Sequence, residues 1–267
     1  MNIKTAKFIG RKLRPVELAM FAKWILRIER KIVKFDDGRQ YSVDPISDLG
    51  IKLVEDGFYE PEMTHTLNSL LEEGDTFVDL GSNEGYFSIL ASKLCGQKGG
   101  IFAIEPQCRL WNVILNNVSL NKCTNVQIVP FGVGSSSSEL TMNLYPTLNS
   151  GASSFAENFS FKISFEKIRR KIYGQQAVRI IKLDDLEETF PNAIKLIKID
   201  IEGFEFEALK GASKLLQKKV FKHLLIETHA HALESMNQSI EEMNSFLLNH
   251  GYSKEVVTYN LNLYSAK

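Results

Sequence analysis

Strand and helix patterns alternate along the chain from residue 76 onward, and this alternation most constrains what the chain can fold into. Short runs rich in β-branched and apolar residues are separated by amphipathic stretches. The predicted strands are Thr76–Leu80, Ile101–Ile104, Val126–Pro130, Leu196–Ile201 and Leu224–Glu227, and the predicted helices are Tyr86–Leu94, Leu110–Leu120, Phe204–Leu216 and Ile240–Leu248. Because parallel strands need crossover helices, this order predicts an α/β fold with a mostly parallel sheet and helices on both faces.

The chain also carries an extension before these elements and a long insertion within them. We expect residues 1–70 to form a helical and hairpin extension and residues 71–267 to form the α/β domain. Ile32–Phe35 and Gln40–Val43 flank Asp36-Asp37-Gly38, a turn signal typical of a β-hairpin. Residues 135–176 open with four serines and include the basic run FEKIRRKIY. Insertions of this length usually carry function.

Positive charge is concentrated at the N-terminus. Residues 1–34 hold ten Lys or Arg and two Glu, although the whole chain has no net charge. Apolar residues recur there at roughly helical spacing, namely Val16, Met20, Phe21, Trp24, Ile25 and Ile28. A basic amphipathic helix can lie weakly on a membrane surface or an acidic partner. A helix docked on the protein, with a solvated charged face, explains the same pattern, and we favour it.

Composition limits the compartments and bound groups that we expect. No apolar run is long enough to span a bilayer, and no signal peptide with a small-residue cleavage site is recognisable. The three cysteines, Cys95, Cys108 and Cys123, are odd in number and form no C-x-x-C. This pattern predicts free thiols in a reducing compartment and argues against a disulfide framework or a zinc site. We therefore expect a cytoplasmic protein.

The loop after the first predicted core strand, within FVDLGSNEGYFSILAS (residues 77–92), is the expected ligand cradle. In open α/β sheets, ligands bind beyond the carboxyl ends of the strands. The glycines here, Gly81 and Gly85, do not form the G-x-G-x-x-G of dinucleotide sites. A pyrophosphate prefers bare amides at a helix N-terminus, and Asp79 and Glu84 would repel it. The loop therefore favours a cationic ligand without phosphate.

S-adenosylmethionine is such a ligand, because it has an ammonium, a sulfonium and one carboxylate. We expect Asp79 near the ammonium, directly or through water, and Gly81 to allow close backbone approach. Glu105 ends the next predicted strand, 20 residues after Gly85. A carboxylate at that position accepts hydrogen bonds from ribose hydroxyls. Either acid alone suits a structural role, but the two at this spacing indicate the cofactor site.

The segment KLIKIDIEGFEFEALKG, residues 195–211, places charges in a predicted core strand. Strand alternation would put Lys198, Asp200 and Glu202 on one face. Charges at the end of a central strand are costly unless they are paired or used. We expect a structural ion pair between Lys198 and one of the two acids. Asp200 falls where the strand meets the ligand crevice, so we expect it to be functional.

These segments resemble the FkbM-type methyltransferases, a branch of the Rossmann-like, class I enzymes that use S-adenosylmethionine. The resemblance rests on DLGSNEGYFS from Asp79, on Glu105-Pro106 and on KIDIEGFE from Lys198, and GFYEPE (57–62), NSGASSF (149–155), LDDL (183–186) and LLIETH (224–229) follow the family order. It implies a seven-stranded sheet with one reversed strand near the C-terminus. It also implies O-methylation of a hydroxyl on a glycan or a polyketide-like natural product.

Motifs and resemblance together give the expected cofactor contacts. They are Asp79, Gly81, Ser82, Asn83, Gly85, Tyr86, Phe87, Glu105, Pro106, Phe131, Gly132 and Asp200. One segment departs from the pattern of related enzymes: FGVGSSSSE, after the third core strand, lacks the acid that many of them place near the adenine amino group. Adenine recognition would then rest on backbone groups and on apolar packing around residues 131–133.

Methyl transfer to an alcohol needs aligned reactants and a base within hydrogen-bond reach of the hydroxyl. The candidate catalytic residues are Asp200, Glu227 and His229, with His231 as a further option for the base. Asp200, Glu227 and His229 could instead hold a divalent ion, but their spacing matches no known metal signature and we expect no metal. For the acceptor, we expect contacts from Tyr59 and Glu60 in the extension and from Ser153 and Ser154 in the insertion.

Three other classes of function fit parts of the sequence. A nicotinamide-dependent dehydrogenase would share the fold, but its glycine pattern is missing. A non-catalytic module with this fold would be expected to lose Asp79, Glu105 or Asp200, and all three are present. Nucleic-acid methylation would suit the basic N-terminus, but no platform of aromatic and basic residues accompanies the core motifs, so we expect no nucleic-acid partner. The acceptor is therefore expected to be a small molecule or a glycan.

Overall fold

The computed structural model of the protein describes residues 2–13, 15–145, 174–191 and 193–267. A seven-stranded sheet forms the centre of the described chain. Its strands are β3 (Thr76–Leu80), β4 (Gly100–Ile104), β5 (Val126–Val129), β9 (Ile194–Ile199), β10 (Phe221–Glu227), β11 (Tyr252–Val256) and β12 (Leu261–Ala266), and they lie in the order β11-β12-β10-β9-β3-β4-β5. The remaining strands, β1 (Lys31–Lys34), β2 (Gln40–Val43), β6 (Gly132–Val133), β7 (Ser138–Asn143) and β8 (Gln175–Ile181), form two smaller sheets.

The large sheet is parallel except at one strand. β12 runs antiparallel to both of its neighbours, β10 and β11, whereas the pairs among β10, β9, β3, β4 and β5 are all parallel. The chain moves outward from β3 to β5 and then returns to β9 on the other side of β3. Strand order therefore reverses between β3 and β9, where open α/β sheets bind their ligands. The Rossmann-like prediction, with one reversed strand near the C-terminus, is confirmed.

Helices cover both faces of the sheet. The described helices of the domain are α5 (Tyr86–Cys95), α6 (Cys108–Leu120), α7 (Glu205–Lys210), α8 (Ser213–Gln217), α9 (Ala230–Ser235) and α10 (Ile240–Asn249). The predicted single helix over 204–216 is instead two short helices broken at Gly211. A Cβ on Gly211 would lie 2.0 Å from the carbonyl oxygen of Gly134. This close approach of two backbones explains both the glycine and the break.

The extension is built from α1 (Ile3–Lys7), a π-helical turn (Phe8–Lys12), α2 (Val16–Ile25), the β1–β2 hairpin, α3 (Asp48–Glu55) and α4 (Pro61–Leu70). The predicted hairpin is confirmed. Its strand β2 does not form a separate unit, because the buried side chains of Tyr41 and Val43 share one apolar cluster with Phe77 and Phe87 of the domain. The proposed boundary near residue 70 thus separates sequence segments that share a core.

The predicted insertion, residues 135–176, contributes to a small three-stranded sheet whose first strand, β6, lies just before it. β6 and β7 lie before the insertion's central part and β8 lies after it, in the order β6-β8-β7. Neither β7 nor β8 was predicted from the sequence. Ser153 and Ser154, the predicted acceptor contacts in this insertion, lie outside the described residues.

Candidate active site

Two adjoining cavities open at the carboxyl ends of the central strands. The first, which we call the apolar crevice, has a volume of about 570 Å³. It is lined by Leu80, Gly81, Asn83, Glu105, Pro106, Gln107, Phe131, Gly132, Val133, Met142, Asp200, Ile201, Glu202 and Phe204. Most of these residues follow β3, β4, β5 or β9 directly. The switch point of the sheet therefore forms the floor of the crevice.

The acid of the crevice is Glu105, which follows β4 and is almost fully buried. Its two carboxylate oxygens accept hydrogen bonds from the backbone amides of Asn83 (2.8 Å) and Gln107 (2.9 Å). Burial raises the pKa of Glu105 to about 7, although both amides favour the ionised form. Each oxygen keeps a further lone pair for a ligand hydroxyl. The two amides thus hold the carboxylate in a fixed orientation.

Lys198 ties the glycine loop to the end of β9. Its ammonium lies 3.3 Å from Asp79 Oδ1 and 3.5 Å from Asp200 Oδ2, and it donates to the carbonyl of Gly81 at 2.9 Å. Burial opposes its charge, but Asp79 and Asp200 outweigh that cost and raise the pKa of Lys198 above its ordinary value. The predicted Lys198–Asp200 pair is therefore present. Asp79 is a second partner that we did not predict.

Asp79, which we expected near the ligand ammonium directly or through water, lies behind the cavity walls, and its contact with the ligand stays a prediction. The side chain is fully buried, and its other oxygen accepts a hydrogen bond from Ser88 at 2.6 Å. Asp79 lines neither cavity. Because Asp79 Oδ1 lies 3.3 Å from the ammonium of Lys198, the carboxylate positions Lys198 in this structure.

Gly81 needs to be glycine for two reasons. Its φ of +84° lies in the left-handed region, and a Cβ there would lie 1.9 Å from the carbonyl oxygen of Asp200. The backbone amide of Asp200 in turn donates to the Leu80 carbonyl at 3.1 Å. The glycine loop and the Asp200 corner are thus packed backbone to backbone, so a larger residue at position 81 would separate them.

The second cavity, which we call the acidic cleft, has a volume of about 750 Å³. It is lined by Ser47, Asp48, Leu49, Tyr59, Glu60, Gly81, Ser82, Asn83, Glu84, Tyr86, Phe87, Lys198, Asp200, Glu202, Glu227 and His229. Gly81, Asn83, Asp200 and Glu202 line both cavities. The cleft thus joins the crevice at Asp200, and its other wall comes from the extension.

His229 is held in the cleft by a carboxylate behind it. Its Nδ1 lies 2.9 Å from Oε1 of the fully buried Glu205, which also accepts from the amide of Gly203 at 2.9 Å. This leaves Nε2 facing Glu202 at 3.5 Å and Asp200 at 3.9 Å. Burial lowers the pKa of His229, but the Glu205 hydrogen bond and the surrounding acids outweigh it and raise the pKa to about 10. His229 is therefore cationic at neutral pH in the free protein.

Carboxylates elsewhere in the cleft bind protons more tightly than usual. Burial, followed by the charge of Asp200, raises the pKa of Glu60 to about 7. Burial raises the pKa of Glu202 to about 7 as well, although the nearby His229 opposes the shift. The pKa of Glu227 is also raised, by burial and by Asp200, and Glu227 accepts from Asn260 at 2.8 Å. The cleft therefore holds carboxylates poised to exchange protons near neutrality.

Tyr59 and Glu60 bring the extension into the cleft. The backbone amide of Tyr59 donates to the hydroxyl of Tyr86 at 3.2 Å, which fastens this turn to α5. Glu60 has a positive φ of 44° just before Pro61 at the start of α4. The buried Glu60 Oε2 and the buried hydroxyl of Ser82 have no hydrogen-bond partner among the described residues. These two groups are available to a ligand.

Two sets of three side chains in the cleft have ligand atoms that all lie within 4.8 Å of one another. One set is Asp200, Glu202 and His229, and the other is Glu60, Asp200 and Glu227. This spacing and these donors would suit a hard divalent cation. Close acids are also common without an ion, and the raised pKa values of Glu60 and Glu202 relieve the same repulsion by protonation. Our expectation of no metal stays a prediction.

The structure brings most of the predicted site residues together. The crevice contains Gly81, Asn83, Glu105, Pro106, Phe131, Gly132 and Asp200, and the cleft contains Tyr59, Glu60, Ser82, Tyr86, Phe87, Glu227 and His229. Gly85 lines neither cavity; it precedes α5 and packs against Ile114. His231, the alternative base, is exposed and pairs only with Glu234 in the described chain.

Sequence reasoning missed several residues of the site. Glu205 is the last residue of the KIDIEGFE string, which therefore contained a signal for it. Glu84, which we expected to repel a phosphate, is buried and paired with Arg30 of the extension at 2.5 Å. Met142, on the unpredicted β7, completes the wall of the crevice. Arg30 and Met142 had no local signal, because both reach the site through long-range packing.

The strand order, the glycine loop after β3 and the acid after β4 define the Rossmann-like methyltransferase class. Within it, the chain belongs to the FkbM methyltransferase family: the methyltransferase FkbM domain matches residues 79–254. The match includes the glycine loop, Glu105, Asp200, Glu227 and His229. The family predicted from the motifs is therefore confirmed.

Curated relatives include the hexuronic acid methyltransferase AglP of Haloferax volcanii, which is 30% identical over 175 residues, covering 64% of this chain and 63% of the relative. Methyltransferase sdnD of Sordaria araneosa is 28% identical over 173 residues, covering 57% and 65%. The chain thus spans about three-fifths of the length of these relatives. A solved structure of a putative rRNA-methylase from Clostridium thermocellum aligns with a TM-score of 0.47 at 11% identity, covering 77% of this chain and 93% of that one.

Proposed function

We propose that the protein transfers a methyl group from S-adenosylmethionine to a hydroxyl of a glycan or small natural-product acceptor. The observation that carries the proposal is the pair of cavities that meet at Asp200. One offers a buried carboxylate to a diol between apolar walls, and the other offers a histidine among carboxylates. The family and its curated methyltransferase relatives support the same reaction.

The residues of the crevice fit this cofactor. Glu105 would accept hydrogen bonds from the two ribose hydroxyls, while Phe131, Val133 and Phe204 would pack against adenine. The unpartnered Ser82 hydroxyl and the amides of the glycine loop suit the carboxylate of the methionine part. When bound, the cofactor supplies an electrophilic methyl group on a sulfonium. The excess of carboxylates around Asp200 favours a cationic ligand.

The acceptor hydroxyl would lie in the acidic cleft and lose its proton there. Glu60 and Glu202 have pKa values of about 7, so their carboxylates are matched to proton removal at neutral pH. His229, cationic and fixed by Glu205, would stabilise negative charge that develops on the acceptor oxygen. Asp200 would align His229 and Lys198 with the reacting groups. Glu227 stays a candidate for the base, and Tyr59, Ser153 and Ser154 stay proposed acceptor contacts.

The cysteines bear on the compartment in which the protein works. Cys95, Cys108 and Cys123 are all free thiols in the structure, which supports a reducing compartment such as the cytoplasm. No helix in the described part of the chain is long and apolar enough to cross a membrane.

The experiment is a screen of hydroxyl acceptors with isotopically labelled S-adenosylmethionine, analysed by mass spectrometry. Neutral glycans, uronic acid glycans and polyketide-like alcohols form the panel. We expect label on an acceptor oxygen with the parent protein and at least about 100-fold less with Asp200→Asn. If the labelled products were carboxylate methyl esters and not methyl ethers, the acceptor group would be a carboxylate rather than a hydroxyl. Cofactor binding without any labelled product across the panel would favour the non-catalytic module.

A further inference from the structure

The outer face of α2 in the extension exposes apolar side chains that nothing in the described chain covers. Leu18, Phe21, Trp24 and Ile25 are exposed, with Trp24 at 74%, and the rings of Phe21 and Trp24 stack with centroids 6.0 Å apart. Leu26 continues the patch beyond the end of the helix. We call Leu18, Phe21, Trp24, Ile25 and Leu26 the α2 patch. Contiguous apolar surface of this kind marks an interaction site.

The opposite face of α2 is already used for docking on the protein. Ala19 is fully buried and packs in a small cluster with Ala6, Ile9 and Ile46. Lys23 pairs with the buried carboxylate of Asp44. The helix is therefore held at a fixed orientation, with the α2 patch directed away from the protein. The docked helix that we favoured from the sequence is present, and its exposed face also carries apolar side chains that we did not assign to it.

The charges of the N-terminal segment divide into two groups. Lys7, Arg11, Lys23 and Arg30 pair with acids of the rest of the chain, Glu55, Asp48, Asp44 and Glu84. Five other basic residues make no ion pair within the described part of the chain, namely Lys4, Lys12, Arg27, Lys31 and Lys34. All five of these side chains are exposed, and Arg27 directly follows Leu26 of the patch. The surplus positive charge thus lies at the surface of the segment that carries the α2 patch.

We propose that the α2 patch and the exposed basic residues of the same N-terminal segment dock the protein on an anionic lipid surface. Phe21, Trp24 and Ile25 would insert into the headgroup region, where a Trp ring is well accommodated. Arg27, Lys31 and Lys34 would meet lipid phosphates, each adding to an attraction that falls with salt. A second protein copy suits this face poorly, because the unpaired cations of two copies would face each other. The lipid surface complements both properties of the face.

The test is binding of the full chain to vesicles of phosphatidylcholine, alone or with about one third phosphatidylglycerol, at low and high salt. We expect binding only to the anionic vesicles and a blue shift of tryptophan emission. The other tryptophan, Trp111, is partly buried and donates to the carbonyl of Glu105 at 2.8 Å, so it should not respond. Trp24→Phe should therefore bind but lose most of the shift. A shift that persists in Trp24→Phe would overturn the assignment.

Two double variants separate the apolar from the charged contribution to vesicle binding. Phe21→Ser/Trp24→Ser and Lys31→Glu/Lys34→Glu should each weaken binding by about tenfold or more. The matched controls are Val256→Ser/Tyr259→Ser and Lys98→Glu/Lys222→Glu, which change exposed residues elsewhere and should bind like the parent. Thermal melting checks that each variant folds. The proposal would be overturned if the control variants lost as much binding as the test variants, or if neutral vesicles bound the protein equally well. It would also be overturned if the protein did not bind vesicles but self-associated, and Phe21→Ser/Trp24→Ser abolished that self-association.

Discussion

The apolar crevice and the acidic cleft lie side by side, but they are built in different ways. Nearly every residue of the crevice follows a core strand directly, so its lining is a local consequence of the sheet. The cleft takes Glu60 from the extension, Glu202 from the turn after β9 and His229 from the end of β10. The crevice can therefore be inferred from short motifs, whereas the cleft depends on long-range packing.

The two cavities also differ in charge. The buried carboxylate of Glu105 lines the crevice but not the cleft, whereas Glu60, Glu227 and His229 line the cleft but not the crevice. We infer that the crevice binds and orients the cofactor and that the cleft handles the acceptor and its proton. Variants on the two sides should then separate cofactor affinity from turnover.

The largest effect is expected at Asp200, where the cavities meet. Asp200→Asn keeps the shape but removes the charge that aligns Lys198 and His229. Turnover at saturating substrates should fall by about two to four orders of magnitude, with S-adenosylhomocysteine affinity changed only a few fold. Single-turnover kinetics and calorimetry measure the two quantities. Near-parental turnover would remove Asp200 from the catalytic residues.

The next effect tests the proton chemistry of the cleft. His229→Gln should reduce turnover by about 100-fold, because a neutral amide stabilises an acceptor oxyanion less than a fixed cation does. Glu205→Gln should act in the same direction more weakly and should shift the pH–rate profile, since Glu205 holds His229 protonated. His231→Gln is the matched control, because His231 is exposed and pairs only with Glu234 in the described chain. If cofactor affinity fell as much as turnover in His229→Gln, His229 would act in cofactor binding rather than on the acceptor.

The crevice side is tested at Glu105. Glu105→Ala should weaken S-adenosylhomocysteine binding by about 1–3 kcal/mol, because two ribose hydroxyls would lose a charged acceptor. Turnover at saturating cofactor should stay within about tenfold of the parent. Glu73→Ala, at an exposed acid remote from both cavities, serves as the control. Parental affinity in Glu105→Ala would reject the ribose assignment.

The smallest effect is a pH dependence of stability. Glu60, Glu105 and Glu202 have folded pKa values of about 7, above the ordinary value of 4.5. Between these values the folded protein holds more protons than the unfolded chain, so the free energy of unfolding falls as pH rises through this window. His229, with a folded pKa of about 10, contributes stability that is present below 6.5 and lost as pH rises to 10.

The melting temperature of the free protein should therefore be a few degrees lower at about pH 8 than at about pH 5.5. Glu60→Gln should flatten part of this dependence, whereas Glu73→Gln should not. A melting temperature that rises across the same window would show that these carboxylates are ionised at lower pH than the cleft geometry implies.

The same contrast explains how much of the molecule the sequence could reveal. β3 was predicted with its observed ends, and Glu105 directly follows β4, where the strand pattern put it. The pairing of Asp79 with Lys198 was not predicted, because strand position alone does not show which side chain of the neighbouring strand contacts a carboxylate. The pairing of Glu84 with Arg30 and the closeness of Glu60 to Asp200 needed the packed extension.

The most direct test of the proposed cofactor is a calorimetric titration of the full chain with S-adenosylhomocysteine and, separately, with NAD. We predict binding of one S-adenosylhomocysteine per chain in the parent, a weaker interaction in Glu105→Ala, and no heat with NAD. Tight NAD binding together with no response to S-adenosylhomocysteine would contradict this prediction.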